Sequence, residues 1–275
     1  MKVLLPVNRR STTMKTITTL IAVVLFVALA STADAGLLSS WRFEDNLSDS
    51  SGNGRTLRPN PKNYDTGLIG QALDMDGIGP NTVEQGTDPG AIDDNAFDFG
   101  SGDFTISLWA FFNDLSGEQN LIEKFQQPSG PGWTLYKKGG PADQIEWYGA
   151  GVGAVTGNTI GISAGTWHHI VLRRDATNIE LIIDTAQDGA SLAHGGAAIS
   201  DSPNALGIGF RRGGANFMNG SIDEVTVWDE ALSNVQIAAL YNNGDGVITI
   251  PEPASLLLIA LGSLAVLVRR TRAIT

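Results

Sequence analysis

The chain is 275 residues long, has no cysteine and carries a formal net charge of −11 at pH 7, which excludes a disulfide framework and a thiolate metal site. That charge is unevenly spread: Gly36 to Ile250 holds 27 acidic and 11 basic residues, a net of −16, while both ends are basic. An acidic middle argues against nucleic acid, whose phosphates need Lys and Arg, and leaves solubility and cation binding as two readings of the acidity.

At the N-terminus an apolar run, Leu20 to Ala30, follows Lys15 and precedes Ala33-Asp34-Ala35. These are the basic, apolar and small-residue parts of a secretory signal peptide, with cleavage expected after Ala35 and Ala33 as the other small residue. The run is shorter than the roughly 18 to 20 residues of a spanning helix, so a permanent anchor is the weaker alternative. Met14-Lys15 would by itself begin a well-formed signal, which leaves the start of translation open between Met1 and Met14. We divide the chain into residues 1–35, a signal; 36–247, a single domain; and 248–275, a tail.

The domain begins with an alternating strand carrying Leu38, Trp41 and Phe43, which runs into the polar turn Asp49-Ser-Ser-Gly-Asn-Gly54. A second apolar segment, Gly70-Gln-Ala-Leu-Asp-Met-Asp-Gly77, also ends in a turn. Residues 81–99, rich in Asp, Gly and Pro, read as a long loop or edge region. Phe104 to Phe112 alternates with large residues on both faces, as a central strand covered on both sides does. Further strands are expected at Asn120–Phe125, Trp133–Lys137, Ile145–Tyr148, Thr166–Arg173, Ile179–Asp184 and Leu206–Phe210, each bounded by turn residues. Gly149-Ala-Gly-Val-Gly153 reads as a flexible turn, and Asp175-Ala-Thr-Asn178 as the turn of a hairpin. The last strand, Gly220-Ser-Ile-Asp-Glu-Val-Thr-Val-Trp228, leads into a short helix. Ser233 and Gln236 form its capping box, Leu232 and Ile237 its hydrophobic staple, and Gly244 offers a stop.

The segments 49–54, 70–77, Thr166-Trp-His-His-Ile-Val-Leu-Arg-Arg-Asp175 and Gly220 to Tyr241 occur in the order of the laminin-G-like, concanavalin A-like jelly-roll family, which the chain resembles. The resemblance implies an all-β antiparallel sandwich with one short C-terminal helix in the domain. It also implies a scaffold that hosts binding modules, glycoside hydrolases and polysaccharide lyases, often with a calcium ion.

After Gly246 the composition changes. Pro251-Glu252-Pro253 precedes fifteen mostly apolar residues, Ala254 to Val268, and then Arg269-Arg270-Thr-Arg272. Physically this is a marginal membrane span with a cationic cytoplasmic stop. The order resembles the PEP-CTERM sorting signal of Gram-negative bacteria that make exopolysaccharide. That resemblance implies an exosortase-type processing enzyme as partner, an inner-membrane intermediate, and delivery to the outer membrane, cell surface or extracellular matrix. A simple tail anchor is the alternative.

Candidate chemistry is sparse. Gly161-Ile-Ser-Ala-Gly165 matches the nucleophile-elbow pattern, but that pattern needs a strand before Ser163 and a helix after it, whereas a strand follows here, so the segment reads as a turn. His168 and His169 alternate on one strand and face opposite ways, one packed and one exposed, and His194 is the only other histidine, so a His-rich metal site is not expected. Asp223 and Glu224 are neighbours facing opposite ways and make a poor catalytic pair. Calcium suits oxygen ligands, and the candidates are Asp49 and Asn53 with Asp223 or Glu224. The rival reading has Asp223 and Glu224 bonding backbone or an Arg where the last strand meets the first. Of six tryptophans, Trp41, Trp109, Trp167 and Trp228 read as core. Trp133, Trp147 and Tyr148, beside Gly-rich turns, are the candidate sugar platforms. Together these readings suggest an exported, surface-sorted, non-enzymatic module for glycan or matrix protein. A carbohydrate-active enzyme on the same scaffold and a purely structural matrix protein are the alternatives.

Overall fold

The computed structural model describes residues 36–58, 63–79, 83–87, 90–140, 143–158 and 162–247. The expected signal residues Ala33 and Ala35 lie outside these, as do the tail residues Pro251, Glu252, Pro253, Arg269 and Arg270 and the apolar segment between them. The strands among the described residues, in chain order, are β1 (Leu37–Trp41), β2 (Leu57–Arg58), β3 (Tyr64–Thr66), β4 (Gln71–Asp76), β5 (Val83–Thr87), β6 (Gly90–Ala91), β7 (Phe104–Phe112), β8 (Gln119–Phe125), β9 (Gly132–Lys137), β10 (Ile145–Gly149), β11 (Gly153–Thr156), β12 (Trp167–Arg174), β13 (Asn178–Ile183), β14 (Ala186–Gln187), β15 (Leu192–Ala193), β16 (Gly207–Ile208) and β17 (Asn219–Trp228). One α-helix, α1 (Asn234–Tyr241), follows β17.

The strands form two antiparallel sheets. The first runs β14-β13-β12-β7-β17-β4-β3, and the second β11-β10-β9-β8-β16-β5-β2. Alternation along each strand sends one set of side chains into the gap between the sheets. In β9, Trp133 and Leu135 point inward and are fully buried, and Trp147 does the same from β10. Trp41, Phe97, Phe104, Ile106, Leu108, Ile170 and Leu172 fill the rest of one continuous core. Removing one of the larger side chains would cost about 3–5 kcal/mol.

A second, smaller core lies on the outside of the first sheet. Here Val171, Ile182 and Trp228 are covered by Leu232, Ile237 and Leu240 of the helical segment. The helix forms where the caps predict. Ser233 Oγ accepts the Gln236 N–H and Gln236 Oε1 accepts the Ser233 N–H, and Asn242 ends the helix in the left-handed conformation with φ +46°. Tyr241 stacks on Trp109 with ring centroids 5.6 Å apart, so the far face of the central strand is covered.

Two local expectations are corrected. Residues 81–99 are not one loop: they supply β5, β6 and a 3-10 turn at Asn95–Phe97. Val83 and Phe97 are buried there, an apolar signal diluted by the surrounding Asp and Gly. The strand expected at Leu206–Phe210 shortens to two residues, because Gly209 takes φ +81° against Met75. The turn expected at Gly149 to Gly153 is there, and it joins β10 to β11, a strand the sequence did not suggest.

Candidate functional site

The outward-facing residues of β8, β9 and β10 build an open depression of about 180 Å³, lined by Phe125, Thr134, Tyr136, Tyr148 and Arg211 and by residues 127–129 of the β8–β9 connection. Register explains the composition. With Trp133 and Trp147 turned inward, Thr134, Tyr136 and Tyr148 must face out, and Tyr148 lies directly opposite Thr134. Phe125 meets Tyr148 edge-on at 5.8 Å. The Arg211 guanidinium covers the Tyr136 ring at 4.8 Å from its centroid and pairs with Glu118.

Two carboxylates flank β9 on this face, Glu123 opposite Thr134 and Glu146 opposite Tyr136. Both are occupied. Glu123 is almost fully buried and accepts the Arg212 N–H at 2.7 Å and the Asn120 amide at 2.7 Å. Burial pushes its carboxyl up to about 7 despite those donors and the nearby Arg211. Burial also opposes ionisation of Glu146, but hydrogen bonds from Lys138, Thr156 and Tyr136 hold its carboxyl below the usual range. Burial and the neighbouring Glu146 keep the Tyr136 phenol protonated. The polar groups are therefore locked to one another, and the face offers ring surfaces and hydroxyls with fixed orientation.

The three expected sugar platforms separate. Tyr148 lines the depression, half-buried. Trp133 and Trp147 do not: each is fully buried, and the Trp133 indole N–H donates to the Phe97 carbonyl at 2.8 Å inside the core. Gly-rich turns beside them suggested exposure, but the strand alternation decided it. Tyr136, Phe125 and Arg211 were missed, although the same alternation from Trp133 would have placed Tyr136 outward.

The four expected calcium ligands also fall into two groups. Asp49 organises its own loop, accepting the N–H groups of Ser40, Ser51 and Arg55 at 2.9–3.0 Å. Asn53 donates to the Leu37 and Leu38 carbonyls. Asp223 is fully buried and accepts the N–H groups of Ile69 and Glu224, while Glu224 pairs with Arg42 at 3.2 Å. Burial pushes the carboxyls of both Asp223 and Glu224 up to about 7. The partners of Asp49 and Asp223 do not overlap, and among the described residues no group of three His, Asp or Glu could hold a metal. Asp223 thus bonds backbone N–H groups and Glu224 bonds Arg42, where the last strand meets the first.

The histidines point to opposite sides of β12 as alternation requires, but neither is exposed. His169 lies beneath α1, against Trp109 at 5.0 Å and with Nε2 at 2.7 Å from Ser107 Oγ, and burial pushes its pKa down to about 4. His168 packs against Asp184.

A family model described as the concanavalin A-like lectin/glucanases superfamily matches residues 84–238, and a PEP-CTERM protein-sorting motif matches residues 249–273. That motif indicates an exported, membrane-processed protein of Gram-negative bacteria and implies processing by an exosortase. No curated protein matches the sequence. Among solved structures, the chain is similar to domain 4 of AbnA, a GH43 extracellular arabinanase from Geobacillus stearothermophilus, in complex with arabinotriose. The identity is 19% and the TM-score 0.58, over 74% of this chain and 98% of that one. It is also similar to the binding domain of Paraclostridial Mosquitocidal Protein 1, at 18% identity and TM-score 0.59 over 76% of this chain and 52% of that one. A third is the botulinum neurotoxin serotype D ligand binding domain in complex with N-acetylneuraminic acid, at 16% and 0.54 over 78% and 52%. The chain thus spans about half the length of the two toxin chains. At these identities the likeness is one of fold, a jelly-roll sandwich shared with carbohydrate-binding and receptor-binding domains.

Proposed function

Because the chain belongs to the concanavalin A-like lectin/glucanases superfamily, we propose that it is a surface-sorted module that binds a neutral glycan, without cleaving it, in the depression on the second sheet. The observation that carries this is the pairing of Tyr148 and Tyr136 with Phe125 around one open face rimmed by Thr134 and residues 127–129. Aromatic faces beside hydroxyl and amide groups suit the apolar and polar sides of a sugar ring. Neutrality is argued from charge. The lining cation, Arg211, is already paired with Glu118, and the surrounding domain is strongly acidic, so an acidic polysaccharide meets repulsion without a free counter-charge.

Hydrolysis at this face is disfavoured because Glu123 and Glu146 are both engaged by the protein, whereas a glycosidase pair must face the bound sugar. The PEP-CTERM tail supports release at the cell surface or into the extracellular matrix after exosortase processing, a setting in which a glycan-binding domain would meet polysaccharides. A glycan array probed with the purified chain tests the proposal. Binding to neutral oligosaccharides that Tyr148→Ala weakens about tenfold is the expected result. No binding to any glycan would return the domain to a structural matrix role, and shortening of a polysaccharide would establish an enzyme instead.

A further inference from the structure

Away from the depression, three side chains at one end of β12 form a continuous hydrogen-bonded chain. Ser163 lies in the exposed turn before β12, His168 is the second residue of that strand, and Asp184 directly follows β13. Ser163 Oγ stands 3.1 Å from His168 Nε2, and His168 Nδ1 stands 2.8 Å from Asp184 Oδ2. The partners fix the proton positions. The Ser163 backbone N–H, which can only donate, also meets Nε2 at 3.0 Å, so Nε2 holds a lone pair and the neutral ring carries its hydrogen on Nδ1, donated to Asp184. Asp184 is itself held by the His169 N–H on Oδ1 at 2.9 Å. Nε2 has one lone pair, so the Ser163 N–H and hydroxyl share it in a bifurcated contact in which the hydroxyl is the second donor.

Hydroxyl, imidazole and carboxylate in this sequence of contacts are the parts of an activated serine, which is recognised by geometry and roles on unrelated folds. We propose that Ser163 is a nucleophile that accepts an acyl group from an ester, with His168 as its base and Asp184 as the positioning residue. In the first step Ser163 Oγ bonds to the acyl carbon as its proton passes to His168 Nε2. The ester C–O bond breaks, and the proton leaves with the alkoxide as an alcohol. In the second step water adds to the acyl carbon and gives a proton to His168. The bond to Ser163 breaks, a carboxylic acid departs and the hydroxyl is restored. In this proposal the Ala164 N–H, next to the nucleophile in the chain, would be the donor that meets the oxyanion. Ser163 and its turn are exposed, which fits small or pendant acyl groups reaching it from solvent. No residue is shared with the depression.

The test is labelling of the purified full chain by a fluorophosphonate probe, together with turnover of p-nitrophenyl acetate. The expected result is a mass shift on Ser163, lost in Ser163→Ala and slowed on the order of 100-fold in Asp184→Asn, while glycan binding by Ser163→Ala is unchanged. Should Asp184→Asn not fold, the pH profile of the unaltered chain decides: a rate that rises through one ionisation and then levels supports His168 as base. A rate that climbs tenfold per pH unit throughout overturns the proposal. Labelling no faster than in the heat-unfolded chain, or equal labelling of Ser163→Ala, overturns it as well and leaves the Ser163–His168 contact as a cap on the turn.

Discussion

Asp223 Oδ2 accepts the backbone N–H of Ile69 at 3.1 Å, tying the closing strand to the turn between β3 and β4. The contact sits where β17 changes partner. Its first half pairs with β4 as far as Ile222, its second half pairs with β1 from Val225, and the register with β7 shifts between Asp223 and Thr226. Glu224 takes φ +47° at this bulge and turns its side chain to Arg42. Asp223→Ala would leave the Ile69 and Glu224 N–H groups without their acceptor in a buried site. We expect a loss of roughly 2 kcal/mol or more in chemical denaturation, and an unchanged midpoint would contradict this account.

Tyr148 and Trp147 are adjacent yet face opposite sides of β10. Tyr148→Ala is expected to weaken glycan binding by about tenfold, since one lost aromatic contact is worth about 1–1.5 kcal/mol, with little change in stability. Trp147→Ala should instead cost about 3–5 kcal/mol of stability. Calorimetric titration beside a thermal melt separates the two, and the reverse pattern would move the binding face elsewhere.

Three carboxyls, those of Glu123, Asp223 and Glu224, are pushed up to about 7 by burial. Between about pH 4 and 7 the folded state therefore holds more protons on them than the unfolded state, and stability falls as pH rises through that window. His169, pushed down to about 4, acts oppositely: the unfolded chain takes up its proton below about 6.5, so its contribution to stability is lost as pH falls from there toward 4. Three groups outweigh one, and the melting temperature is expected to be higher near pH 5 than near pH 8. A Glu123→Gln variant should flatten that slope, and a melting temperature rising steadily from pH 5 to 8 would count against these burial effects.

The helix α1 depends on its cap and on the face it covers. Ser233→Ala should cost about 1 kcal/mol. Tyr241→Ala should cost more, because it uncovers Trp109 and His169 together. His169 would then regain water and titrate nearer to 6.5, which NMR of its ring protons would detect; an unmoved pKa would show that Tyr241 is not what keeps His169 dry.

Local order alone determined much of this protein. The strand spacing, the Ser233 and Gln236 cap, the turn in which Asp175 Oδ1 accepts the Thr177 and Asn178 N–H groups and the tail Pro251-Glu252-Pro253 with Arg269 and Arg270 are all short-range patterns. Period-two alternation and capping act over a few residues, so composition reveals them directly. What only the tertiary structure decided lies in long-range pairing. Trp133 and Trp147 went inward and Tyr136 and Tyr148 outward because β9 and β10 share one register. Asp49 and Asp223 parted because each met different backbone donors, and Ser163 met His168 and Asp184 because β12 pairs with β13. A carboxylate or hydroxyl takes its role from whichever group the fold brings to it, and that neighbour is set by strand pairing across the whole domain.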